Sequence, residues 1–187
     1  MATSPKSGEK TPDQQQLPAQ KAQREPQDAA YARAQDAIAT ARTSDASDLT
    51  LSGDDFSDLT ELPPDVGTLT ALTDLSLSGT QVSDISALSG LTGLMGLSLS
   101  RTPVSDISAL SGLTALSGLS LLGTPVNDLS PILPLTQLVD APKYGGLAFR
   151  NTAAARVDRR IAEIAGIQDD AKRATDLCAY LKNVTPT

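Results

Sequence analysis

The sequence predicts an α/β solenoid, a stack of coils that each add one short strand to a parallel sheet, and three observations predict it. The phrase Leu75-Ser76-Leu77-Ser78-Gly79-Thr80 returns as Leu97-Ser98-Leu99-Ser100-Arg101-Thr102 and as Leu119-Ser120-Leu121-Leu122-Gly123-Thr124, a step of twenty-two residues each time. The same step carries Leu69 to Leu91, Leu113 and Leu135, and Val82 to Val104 and Val126. Within each phrase the Leu-x-Leu alternation puts both leucines on one side of an extended chain, and a strand so short buries that side only against neighbours like itself.

A fixed period in the twenties with leucine at these offsets is the pattern of a leucine-rich-repeat solenoid, with short parallel β-strands on the concave face and helical caps at both ends. Composition agrees. With two Phe, three Tyr and no Trp the core must be aliphatic, and leucine is the residue abundant enough to fill it.

Residues 1–27 are rich in Pro, Gln, Lys and Ser, include a Gln14-Gln15-Gln16 run and hold few large apolar side chains. That composition does not offset the entropy of ordering and predicts a disordered tail. Residues 28–43 turn alanine-rich, with Tyr31, Ala34, Ile38 and Ala41 at helical spacing, which predicts a helix covering the open end of the first coil.

Coils are expected over 44–152, with strands near 49–51, 75–77, 97–99, 119–121 and 147–149. Leu49-Thr50-Leu51 precedes the Leu75 phrase by twenty-six residues, and the stretch from Leu59 to Leu69, with Pro63-Pro64, has the look of an irregular end unit. After Pro134 the period slips. Gly146-Leu147-Ala148-Phe149-Arg150-Asn151-Thr152 nonetheless matches Gly96 to Thr102, twenty-eight residues beyond the Leu119 phrase, so a fifth strand follows a six-residue insertion.

Thr80, Thr102 and Thr124 stand where leucine-rich repeats usually carry Asn, and a hydroxyl satisfies fewer backbone groups than an amide, so they read as a structural ladder. Asp84, Asp106 and Asp128 sit where a carboxylate caps a short helical turn; a calcium ladder is the weaker reading, since the glycine-rich calcium repeat is absent. Residues 153–183 predict two closing helices. Asn151 or Thr152 caps the first, which carries Val157, Ile161 and Ile164 on its apolar side and stops at Gly166; Asp169 starts the second, with a stripe of Ala174, Leu177, Cys178 and Leu181.

The chain has no His, the commonest general base and metal ligand, and its single Cys178 makes neither an intrachain disulfide nor a zinc knuckle. No catalytic residue, metal or cofactor is expected. Of the net charge of −7, residues 44–149 contribute twelve acidic groups against two basic ones, which argues against nucleic acid or an anionic membrane as partner. Residues 1–6 lack the apolar core of a secretory signal and no apolar run reaches bilayer length, so a cytoplasmic monomer is the expectation.

The pattern from Leu69 to Leu88 resembles the twenty-two-residue repeats of internalin-like bacterial proteins, and the resemblance extends over residues 46–152. It implies a binding scaffold that works through its concave sheet face. Such proteins carry an export signal and a surface attachment, neither of which is seen here, so their adhesin role is not carried over. On the sheet the candidate contact residues are Asp74, Ser76, Ser78, Ser98, Ser100, Arg101, Ser120, Leu122 and Arg150.

The two arginines are of the type that dominates interfaces, while Asp48 and Asp74 favour a basic protein partner. A salt-bridged or solvated arginine is the expectation for Arg101, ahead of an arginine-finger role toward a nucleotide hydrolase. The functional expectation is a non-enzymatic protein–protein interaction module. Alternatives are an effector delivered without a Sec signal, with residues 1–43 as its address, and a cysteine-dependent ubiquitin-ligase-like enzyme on Cys178, for which too little chain follows Thr152.

Overall fold

The computed structural model of the chain describes residues 13–140 and 146–184, and the side chains of residues 28–138 and 146–184. Five parallel strands form one sheet in chain order: β1 (Asp48–Thr50), β2 (Asp74–Ser76), β3 (Gly96–Ser98), β4 (Gly118–Ser120) and β5 (Gly146–Ala148). The register sets Leu49, Leu75, Leu97, Leu119 and Leu147 side by side on successive strands.

Each strand begins one residue before the leucine that anchors it, while the ladder continues beyond its end. The Leu77 N–H donates to the Ser98 carbonyl at 2.9 Å and the Gly79 N–H to the Ser100 carbonyl at 2.9 Å. The paired surface is therefore wider than the strands alone.

Beneath the sheet lie the second leucines of each phrase, Leu51, Leu77, Leu99 and Leu121, with Phe149 in the fifth, all buried. They pack against the returning half of each coil, where Val82, Ile85 and Leu88 and their counterparts are buried too. Each such side chain stabilises the array by roughly 1.5–3 kcal/mol on full burial. Because every coil needs a covered neighbour, the stack ends only where something other than a coil seals it.

The expected threonine ladder closes its turns from within. The buried hydroxyls of Thr80, Thr102, Thr124 and Thr152 donate to the carbonyls three residues back, at 2.8, 2.7, 2.8 and 3.0 Å. Oδ1 of Asp84, Asp106 and Asp128 accepts from the backbone N–H of Ser86, Ser108 and Ser130, each at 2.8 Å. The bonds to Ser86 and Ser108 hold the Asp84 and Asp106 carboxyls below their ordinary range, because they favour the charged form.

At the N-terminal end helix α1 (Asp13–Thr43) lays Ala30, Ala34, Ile38 and Ala41 on the first coil. The Arg33 guanidinium donates to the Asp55 carbonyl at 2.8 Å and holds the helix down. Of the tail expected over 1–27, residues 1–12 lie outside the described residues and the rest is helical backbone continuous with α1. Gln, Ala, Lys and Arg, which recur in this stretch, are good helix formers.

At the other end a short helix, α2 (Gln137–Asp140), leads into the insertion, and residues 141–145 lie outside the described residues. The single helix expected to run up to Gly166 is two: α3 (Ala153–Val157) and α4 (Arg159–Ala165). Thr152 caps α3, accepting from the Ala155 N–H at 3.2 Å. Asp158 is extended at the joint, with its carboxylate accepting from the N–H groups of Arg160 and Ile161.

That break changes the phase of the helix, so Val157 is 78% exposed instead of facing the core. The physical reason is that Asp is a far better cap than a mid-helix residue, and here the Tyr180 hydroxyl donates to its other oxygen at 2.6 Å. The closing helix α5 (Asp170–Val184) is preceded by Asp169, whose Oδ1 caps it by accepting from the Lys172 N–H. It buries Ala174, Leu177 and Leu181, and buried Arg173 donates to the Leu147 carbonyl of β5 at 2.5 Å. No helix among the described residues is long and apolar enough to cross a membrane.

Candidate functional site

Alternation along five strands in register arranges the outward side chains of the sheet in columns. The first column reads Asp48, Asp74, Gly96, Gly118, Gly146; the second Thr50, Ser76, Ser98, Ser120, Ala148; the third Ser52, Ser78, Ser100, Leu122, Arg150. Charge therefore sits at one end of the first column and bare backbone at the other. The first two columns line an open trough of about 440 Å³.

Across the middle of this face the serines form a ribbon. The Ser78 and Ser98 hydroxyls are 2.7 Å apart, as are those of Ser100 and Ser120, and longer contacts of 3.4 Å join Ser76 to Ser78 and Ser98 to Ser100. A hydroxyl has one proton to give and two lone pairs to receive with, so five hydroxyls joined by four bonds offer a partner mainly acceptors. Beside them Asp48 and Asp74 add carboxylates, each already accepting from the hydroxyl before it, Ser47 at 2.5 Å and Thr73 at 2.9 Å.

The edge where the strands turn is different. A hollow of about 450 Å³ is lined there by Ser78, Ser100, Arg101, Leu122, Arg150 and Asn151, with Gly79 and Gly123. Leu122 is 38% exposed, the one large apolar side chain that the described sheet face gives to solvent. The turn needs a left-handed backbone, supplied by Gly79 (φ +77°), Gly123 (φ +71°) and Asn151 (φ +59°); Arg101 adopts it too, at φ +58°.

The nine candidate residues thus fall into two groups. Asp74, Ser76, Ser98 and Ser120 line the trough, while Arg101, Leu122 and Arg150 line the hollow and Ser78 and Ser100 join the two through the ribbon. Arg150 is not a free contact residue. Its Nε and Nη2 donate to the Ala165 and Gly166 carbonyls at 3.0 and 3.2 Å, which satisfies the C-terminal end of α4.

Arg101 is exposed, and among the described residues its guanidinium has no hydrogen-bond or ion-pair partner. Sequence reasoning missed Asn151 and the glycines of the hollow. The signal for them was available in the alignment of repeats, where the same offset reads Gly79, Arg101, Gly123, Asn151.

Cys178 lies half-buried on α5, and burial pushes its thiol above the ordinary value against a smaller opposing pull from Lys182. A thiol held protonated is a poor nucleophile, which weighs against the ligase reading. No group of three or more His, Cys, Asp or Glu side chains placed to hold a metal occurs among the described residues.

No protein-family model matches the chain, and no curated protein matches it. Solved structures similar to it include internalin C2 of Listeria monocytogenes, 35% identical over 44% of this chain and 40% of that one, with a TM-score of 0.39. Internalin F of the same organism is 24% identical over 50% of this chain and 32% of that one, with a TM-score of 0.43. The chain spans less than half the length of either. With five parallel strands, leucines in register and a step of twenty-two residues between β2, β3 and β4, the fold is a leucine-rich-repeat solenoid.

Proposed function

We propose that the chain is a non-enzymatic protein-interaction module whose working surface is the concave sheet face. The observation that carries this reading is the trough itself. Glycines in the first column and serines in the second leave the sheet open to close approach by another chain, while the ribbon and the two aspartates supply acceptors along its length. Such a surface suits a partner segment rich in donors, namely backbone N–H groups and lysine or arginine side chains, and it disfavours an acidic one at the β1–β2 end.

The absence of histidine from the sequence and the raised Cys178 thiol support the non-enzymatic reading. Few large side chains line the trough, so the complex is expected to be transient, with the basic contact as its largest single contribution.

The test is a quantitative pull-down with the purified full chain, compared with Asp74→Lys and Arg101→Glu. Loss of a specific captured protein with Asp74→Lys, and a smaller loss with the neutral Asp74→Asn, supports the reading. Capture that neither charge reversal changes would put the working surface elsewhere.

A further inference from the structure

The repeats supply their own reference for what is unusual. At two offsets the phrase is Ser for the third column and Gly for the turn, and it is broken by Arg101 and Asn151 in the glycine place and by Leu122 and Arg150 in the serine place. All four departures line the same hollow. Two of them act against local stability or solubility: Arg101 holds a left-handed backbone that side chains bearing a Cβ avoid, and Leu122 turns an aliphatic side chain to water.

Arg101 also stands in a segment, residues 44–149, with twelve acidic groups, yet pairs with none of those described. An exposed guanidinium, held in place by an unfavourable backbone beside an exposed leucine, has the makeup of a binding contact.

We infer that the hollow at the turn edge of the sheet is a subsite for a carboxylate side chain with an aliphatic neighbour on the bound protein segment. Arg101 receives the carboxylate and Leu122 the aliphatic group, while the Ser78 and Ser100 hydroxyls, already bonded within the ribbon, form the boundary with the trough. Arg150, fastened to the end of α4, contributes its positive field without moving. The inference rests on the concave-face reading and refines it: the partner segment is dipolar, basic over β1 and β2 and acidic where it leaves over the turns after β3 and β4.

The probe is a set of immobilised nonapeptide pools with the central residue fixed as Glu, Gln or Lys and the next as Leu or Ser, the other positions being degenerate. Wild type is expected to retain the Glu-Leu pool about fivefold over Gln-Leu, the scale of one partly exposed charge-assisted contact. Arg101→Gly and Arg101→Asn, which place at this turn the residue types found at Gly79 and Asn151, are expected to keep the melting temperature at or above wild type while abolishing the preference for Glu. Arg101→Glu is expected to turn the preference to Lys, and Leu122→Ser to remove the preference for Leu while keeping that for Glu.

A Glu preference that survives both Arg101→Gly and Arg101→Asn, or wild-type retention that does not distinguish Glu from Gln, overturns the subsite and leaves the concave-face reading standing. Failure of wild type to hold any pool above a blank surface counts against that reading itself.

Discussion

Two neighbouring columns of the solenoid, one residue apart in the sequence, behave in opposite ways. Thr80, Thr102, Thr124 and Thr152 are identical in four successive coils, each buried and each donating to the carbonyl three residues before it. The residues just ahead of them, Gly79, Arg101, Gly123 and Asn151, share a left-handed backbone and little else. Inside, the environment repeats and so the residue repeats. Outside, the backbone alone repeats, and a departure such as Arg101 survives only at a cost in conformational energy. Repetition here marks what burial dictates, and the breaks in repetition mark where the surface has been given over to something else.

The difference is broken most severely from the inside. Leu99 is fully buried under the middle of the sheet, and Leu99→Ala is expected to lower stability by about 2–5 kcal/mol in urea unfolding. By contrast Leu122→Ser, on the outward side of the next coil, is expected to stay within about 0.5 kcal/mol. A loss at Leu122 comparable to that at Leu99 would erase the distinction between the two faces.

Next in size is Thr102→Val, which leaves the volume of the buried column intact and deletes its hydroxyl. The Leu99 carbonyl keeps the Thr102 N–H at 3.3 Å, so the expected loss is about 1 kcal/mol, again by urea unfolding.

Smaller still is the contribution of the joint at Asp158. The Tyr180 hydroxyl, foremost, and the Ile161 and Arg160 N–H groups hold its carboxyl below the ordinary range. A carboxylate whose folded value is depressed adds stability above the unfolded value of about 3.9 and loses it as the pH falls through the folded value. Tyr180→Phe is therefore expected to lower the melting temperature at pH 7, and the gap to wild type is expected to narrow as the pH is taken below about 4. A gap that stays constant down to pH 2 would remove Asp158 from the account.

The smallest effect has the opposite sign. Arg101→Gly relieves a left-handed penalty of roughly 1–2 kcal/mol and gives back part of it through the greater freedom of glycine in the unfolded chain, for a net gain of about 0.5 kcal/mol. A clear loss of stability would mean that the Arg101 side chain supports the fold, and would sharpen the comparison the other way.

What was legible beforehand follows the same division. The leucine columns, the threonine ladder, the aspartate caps and the fifth strand after the insertion could be read from spacing, because each answers to burial or to a backbone group a few residues away. Asp158 could not be read as a break, since part of what holds it there is a hydroxyl twenty-two residues further on. Arg150 looked like a contact residue because its acceptors belong to a helix end fifteen and sixteen residues distant, which only the fold brings back. Arg101 was legible in a different sense: the aligned phrases display an arginine in a glycine place, and the backbone angle explains why that substitution is more than a surface change.

The regular step of the sheet has one more consequence. Neighbouring strands lie about 4.8 Å apart, so the negative mark on β2 and the positive mark after β3 are separated by a fixed increment of a molecular ruler. Inserting one whole coil between them would lengthen that separation by a single graduation without redesigning either mark. A lineage of such arrays can thus retune the spacing of the charges it presents by counting coils, with no new side chain required.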